Sequence, residues 1–214
     1  MQNIPLIPRR IFFGNPDKAA VKISPDGAYL SYLAPRDGVL NVWVAPRTNL
    51  EEVNPVTNDT VRGIRFYLWS YDNQHILYLQ DQGGDENWRL YSVDIHTTEV
   101  KDLTPFDGVR CQLKMASPDF PEEIVIGLNN RVPELHDIYR INIATGELTL
   151  LEENDGYLDY DIDDQFQLRL AHKMIPDGSI EMFVRNQAQD WEVWDSVPGE
   201  DSLTTGSIGF DKAR

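Results

Sequence analysis

Three carboxylates alternate along the run Asp159-Tyr160-Asp161-Ile162-Asp163-Asp164. On an extended strand, residues two apart share a face, so Asp159, Asp161 and Asp163 would crowd three negative charges together. A cation or a substrate ammonium group relieves such repulsion; a solvated strand end relieves it too. A calcium loop is excluded by the letters, because Asp164 stands where that loop needs glycine and Leu170 where it needs the closing glutamate. Asp159, Asp161 and Asp163 are the candidate substrate-binding residues, with a cation or an amine as the ligand and a plain solvated strand end as the alternative.

Other chemistry is sparse. An α/β-hydrolase serine needs Gly-x-Ser-x-Gly, whose glycines allow the sharp strand-to-helix elbow. Gly206-Ser207-Ile208-Gly209 has the wrong spacing for it. No catalytic residue is expected. His75, His96, His136 and His172 stand apart, without the spacing of a metal-binding pair. The single cysteine, Cys111, excludes an internal disulfide and a Cys-based zinc site, and its apolar strand reads as a place to bury a small hydrophobe. Gly83-Gly84-Asp85-Glu86-Asn87 lacks the Lys-Ser/Thr of a phosphate loop and opens a strand rather than a helix, so it reads as a hairpin loop. No metal or cofactor is expected.

The formal net charge is −16, from 35 acidic and 19 basic residues. That excess opposes binding to nucleic acid and to anionic membranes. It leaves cationic partners, a peptide N-terminus among them. There is no transmembrane run, and Met1 to Asn15 lacks the long apolar centre of a signal peptide. The chain is read as cytoplasmic, or as periplasmic had an upstream leader been removed.

The elements that must position the aspartates are repeats. Ile23-Ser24-Pro25-Asp26-Gly27-Ala28-Tyr29-Leu30 reads as strand, tight turn, strand: Pro25 presets one dihedral, Asp26 bonds its own backbone and Gly27 tolerates positive φ. Ser70-Tyr71-Asp72-Asn73, Ser117-Pro118-Asp119-Phe120 and a worn copy, Asp161-Ile162-Asp163-Asp164, take the same place at intervals of 46, 47 and 44 residues. Trp43, Tyr91, Tyr139 and Phe183 each centre an apolar strand, 48, 48 and 44 apart. A period of about 40–50 residues with four strands in each unit is the signature of propeller blades. The expected fold is all-β, a partial β-propeller of four four-stranded antiparallel blades. Residues 1–18 are a lead-in, in which Ile11-Phe12-Phe13 favours burial. The blades span about 19–60, 61–108, 109–156 and 157–202. Residues 203–214 begin a fifth, with Gly206-Ser207-Ile208-Gly209-Phe210 as its first strand. A WD-repeat propeller would show Trp-Asp once per unit, and only Trp194-Asp195 does so.

These residues resemble a known family. Phe13-Gly14-Asn15-Pro16, Ile23-Ser24-Pro25-Asp26-Gly27 and Asn41-Val42-Trp43-Val44 resemble the start of bacterial prolyl oligopeptidase family serine peptidases. So do Gly83-Gly84-Asp85-Glu86-Asn87-Trp88-Arg89-Leu90-Tyr91, and Pro133-Glu134-Leu135-His136-Asp137-Ile138-Tyr139-Arg140 before Ala144-Thr145-Gly146. The likeness is closest to the acylaminoacyl-peptidase and dipeptidyl-peptidase-like branch. It implies a propeller portion that gates or positions peptide substrates. The implied partner is a C-terminal α/β-hydrolase domain, which holds a Ser-Asp-His triad in that family. No residue here matches the triad motifs, so the chain is expected to be inactive alone and to be a piece of a longer protein. Uncovered blade faces would favour self-association. The Ser-Pro-Asp-Gly turn is shared with TolB-like propellers, so a stand-alone binding or scaffold propeller is the alternative. A carbohydrate-acting propeller is a third.

Overall fold

The computed structural model describes residues 6–13 and 17–211. Four antiparallel sheets of four strands are present, each running in sequence order. The one helix among the described residues, α1 (Arg9–Phe13), is five residues long. The all-β architecture of propeller blades is as expected from the repeats. The chain divides into two compact units, Met1–Arg65 and Phe66–Arg214.

The first unit holds one blade: β1 (Ala19–Ile23), β2 (Tyr29–Arg36), β3 (Val39–Pro46) and the two-residue β4 (Asn54–Pro55). Its first turn works as the residues dictate. Ser24 Oγ donates to Asp26 Oδ1 at 2.6 Å and accepts from Tyr29 N at 2.9 Å. Gly27 sits at φ +71°, a left-handed angle that suits glycine. Together with the Ala28 amide, the Ser24 hydroxyl holds the Asp26 carboxyl below its ordinary range. Pro55 lacks an N–H, and one residue beyond it Val56 N still donates to Val42 O at 2.9 Å. Thr57 then takes over, its Oγ1 accepting from Val42 N at 2.8 Å and donating to buried Asn41 at 2.9 Å. The lead-in departs from expectation. Ile11 and Phe12 are 68% and 64% exposed, because a helix of so few residues has no apolar stripe wide enough to dock. Gly14 to Pro16 lie outside the described residues, as does the side chain of Phe13.

The second unit holds three blades. The first is β5 (Tyr67–Trp69), β6 (His75–Gln80), β7 (Arg89–Asp94) and β8 (Val100–Asp102). Next come β9 (Cys111–Ala116), β10 (Glu123–Val132), β11 (Leu135–Asn142) and β12 (Leu148–Glu152). The last is β13 (Asp159–Ile162), β14 (Leu168–Met174), β15 (Ile180–Arg185) and β16 (Trp191–Val197). Side chains alternate across a strand, so β10 serves two cores. Ile124, Ile126 and Leu128 pack with Leu77, Leu90 and Leu103 of the preceding blade. Val125 and Ile138 pack with Tyr160, Ile162, Phe166 and Ala171 of the following one. Cys111 lies in the first of these cores, and burial pushes its thiol up to about 12.

The aromatic markers occupy equivalent places. Trp43, Tyr91, Tyr139 and Phe183 all lie on third strands, opposite Tyr32, Tyr78, Ile126 and Ala171 of the second strands. The turn marker needs one correction. The amides of Gly27, Asn73, Phe120 and Phe166 bond back to the carbonyls of Ser24, Ser70, Ser117 and Asp163. The turn of the fourth blade therefore starts at Asp163, not Asp161, and its interval from Ser117 is 163 − 117 = 46 residues. The acidic letters had matched two residues early. What defines the position is a side chain that accepts a backbone amide of the turn or of the strand after it: Ser24 from Tyr29 N, Ser70 from Asp72 N, Ser117 from Asp119 N, and Asp163 Oδ1 from both Gln165 N and Gln167 N at 2.9 Å.

Residues 205–211, expected to include the first strand of a fifth blade, carry no strand pairing. A first strand is held by pairing with the second strand of its own blade, and no strand among the described residues pairs with this segment. The segment nevertheless follows the repeat. Ser207 Oγ donates to Asp161, 46 residues back, just as Asp159 accepts from Lys114, 45 residues back.

Candidate functional site on the first strand of the fourth blade

β13 is placed by its apolar residues. Tyr160 and Ile162 are buried against the third blade, which turns Asp159 and Asp161 to the other face. Those two carboxylates share a face as the period-two spacing requires. Asp163 does not join them, because the strand ends at Ile162 and Asp163 is consumed by the turn.

Each carboxylate meets a donor of this chain. Lys114 Nζ lies 2.6 Å from Asp159 Oδ1. His172 Nε2 lies 2.7 Å from Asp161 Oδ2, the oxygen that also accepts from Ser207. Arg169 Nε donates to Asp163 Oδ2 at 2.6 Å. Burial raises the Asp161 carboxyl, but the hydrogen bonds from His172 and Ser207, with the charges of His172 and Lys114, outweigh it and leave it below its ordinary range. The charge repulsion read from the sequence is thus largely met from within. Lys114 and His172 were not singled out with the aspartates; the signal that could have found Lys114 is its spacing of 159 − 114 = 45 residues, one repeat before Asp159.

Glycine makes the Lys114 contact possible. A Cβ at Gly127 would stand 3.1 Å from Lys114 Cε and 3.2 Å from His136 Cβ, so the bare backbone lets the lysine stem lie flat across β10. His136 Nε2 is buried with no hydrogen-bond partner among the described residues. Burial lowers its pKa, and the charges of Lys114 and Arg110 lower it further. Asp159 is the open member of the group. Its side chain is 53% exposed, and the hydrogen bonds from Lys114 and Tyr160 N both land on Oδ1. Its other oxygen is the place where an ammonium group could dock.

Behind β13 lies an aromatic cluster that the sequence reading did not single out. Tyr157 meets Phe183 edge-on at 5.4 Å and Trp191 at 5.9 Å, and Tyr160 meets Trp191 at 5.9 Å. The Arg185 guanidinium lies 4.2 Å over Trp191 and donates to both oxygens of Glu152 at 2.6 Å. This cluster carries its own cation, so it locks the third blade to the fourth. The loop from Gly83 to Asn87 joins β6 to β7 as a hairpin connection. Gly83, Gly84 and Glu86 have positive φ there, and Asp85 accepts the Gln82 and Asn87 amides. Among the described residues no three His, Cys, Asp or Glu side chains converge on a metal position.

Comparison with family models finds no match. The chain is 47% identical over 206 residues to dipeptidyl aminopeptidase BIII of Pseudoxanthomonas mexicana, covering 96% of this chain and 30% of that protein. It is 29% identical over 228 residues to dipeptidyl peptidase family member 6 of Caenorhabditis elegans, covering 99% of this chain and 30% of that protein. The chain thus spans about a third of the length of the curated relatives it matches. Among solved structures, the acylaminoacyl peptidase of Pyrococcus horikoshii aligns with a TM-score of 0.53 at 16% identity, over 83% of this chain and 32% of that one, a likeness of fold.

Proposed function

We propose that this chain, a β-propeller portion of a prolyl oligopeptidase family serine peptidase, gates or positions peptides for an α/β-hydrolase domain borne by the longer protein. The observation that carries the reading is 47% identity sustained along 96% of the chain to one stretch of a dipeptidyl aminopeptidase. The site geometry is compatible with it. Asp159 offers a half-exposed carboxylate on the first strand of the fourth blade, with its hydrogen bonds on Oδ1, where it can meet the positive end of a peptide. A serine peptidase needs a nucleophile, a base and an oxyanion hole together in space, and the reading assigns these to the hydrolase domain.

A chimera tests this. Residues 1–214 replace the matching segment of the Pseudoxanthomonas mexicana enzyme. The expected product hydrolyses short peptides with free N-termini and excludes folded proteins. Hydrolysis of small ester substrates checks that the hydrolase domain has folded. A chimera active on esters that has lost all preference among peptides would overturn the proposal.

A further inference from the structure

We propose that β16 is a docking edge for a short, extended, basic peptide segment. The outer strand of each sheet presents, on its far edge, backbone N–H and C=O groups to any chain that can pair with them. β4 has two residues, one of them Pro55. β8 has three, with Lys101 at its centre tied to the carbonyls of Ala144 and Thr145 at 2.7 Å. β12 has five, and its Glu152 is held by Arg185 and Trp191. β16 has seven, with neither proline nor lysine, and its residues 192–196 are all exposed. No strand pairs with its outer side among the described residues.

Charge and shape select the occupant. Between Arg185 and Lys212 the sequence has no basic residue, but it carries Asp190, Glu192, Asp195, Glu200, Asp201 and Asp211. A partner strand bearing Lys or Arg would lie against this acidity. A second copy of the chain fits poorly, because antiparallel pairing about Trp194 would gather Glu192 and Asp195 of both copies in one ribbon. The register also steps between Met182↔Asp195 and Phe183↔Val193, which makes Trp194 the extra residue of a β-bulge. A bulge bends the edge against long sheet-to-sheet pairing but accepts a segment of a few residues. It also leaves the Trp194 indole 61% exposed, where a lysine or arginine side chain can lie over its face.

The test uses a fluorescein-labelled octapeptide of alternating Lys and Val, titrated into the full chain at about 0.15 M salt, where long-range attraction is screened. Fluorescence anisotropy should show saturable binding. Trp194→Ala, or the pair Glu192→Lys and Asp195→Lys, should weaken it on the order of tenfold. The paired reversal should instead take up a Glu/Val octapeptide. A Lys/Val peptide with proline at its centre has the same charge but cannot complete the ladder, and it should not bind. Equal binding of the proline peptide would overturn the proposal, as would unchanged affinity after the charge reversal, or a dimer in sedimentation that Trp194→Ala dissolves. All three substituted side chains are exposed, and circular dichroism confirms that each variant folds.

Discussion

Lys114 and Asp159 stand 45 residues apart and meet at 2.6 Å, joining the first strands of two successive blades. The lysine side chain is 10% exposed and the aspartate 53%, so the pair is buried at one end and wet at the other. Such a pair contributes modestly to stability. A double-mutant cycle with Lys114→Met and Asp159→Asn, read by urea unfolding, should return a coupling of about 0.5–1 kcal/mol that shrinks in 1 M salt. A coupling indistinguishable from zero at low salt would mean that the contact is not made in solution.

The three aspartates should separate by role. In the peptidase proposed to carry this propeller, Asp159→Asn is expected to raise KM for peptides with free N-termini by about fivefold, the worth of an exposed charge contact near 1 kcal/mol. Blocked peptides should be unaffected. Asp163→Ala should leave KM alone and lower stability by about 1–3 kcal/mol, because two amides and Arg169 lose a buried acceptor. Equal effects on KM from both variants would remove the distinction.

Trp69 is 7% exposed at the end of β5. Trp69→Ala is expected to cost about 3–5 kcal/mol, the usual range for a buried aromatic. Chemical denaturation measures it, and a loss below about 1 kcal/mol would contradict the burial.

One pH response follows from Asp72 and His75, whose Oδ2 and Nδ1 lie 2.6 Å apart in the first turn of the second blade. The hydrogen bond that His75 donates to Asp72 raises the His75 pKa against the opposing effect of burial, with the charges of Asp72 and Asp94 adding to it. Burial raises the Asp72 carboxyl, but the bonds from His75 and the Gln74 and His75 amides outweigh it and leave it lowered. A raised histidine stabilises below its unfolded pKa, about 6.5, and that stability is lost as pH rises through the folded value. A lowered aspartate stabilises above about 3.9, and that stability is lost as pH falls through the folded value. The difference in Tm between wild type and His75→Gln should therefore be largest between about pH 4 and 6.5 and shrink above neutrality. A difference that grows with alkaline pH would reverse the assignment.

The fold was legible because its two markers are local. A turn with its own hydrogen bonds and an aromatic on each third strand are imposed by short stretches of sequence, and both recur in step. The position of Asp163 was harder to read. Serine and aspartate can serve the same turn through different atoms, so matching letters placed the start two residues early. The partners of the aspartates lie on other strands. Lys114 is one repeat upstream, and His172 is on the neighbouring strand. Packing of successive blades brings Lys114 to Asp159, and pairing of β13 with β14 brings His172 to Asp161. The aromatic cluster around Tyr157 was hidden for the same reason, since Glu152 and Arg185 belong to different sheets. Ile11 and Phe12 misled in the opposite direction, because apolar letters record a preference for burial without supplying a surface.

β10 alternates its side chains between two cores, and this governs how the second compact unit comes apart. Ile126 and Val125 are neighbours in sequence but belong to different packing partnerships, so the same hydrogen-bonded strand must be intact for either to hold. Loosening the following blade strips cover from Val125 and Ile138, and loosening the preceding one strips it from Ile126 and Ile141. The middle blade thus couples the melting of its neighbours, and amide exchange along β10 should be the slowest in the unit, at a rate set by whichever neighbour opens first.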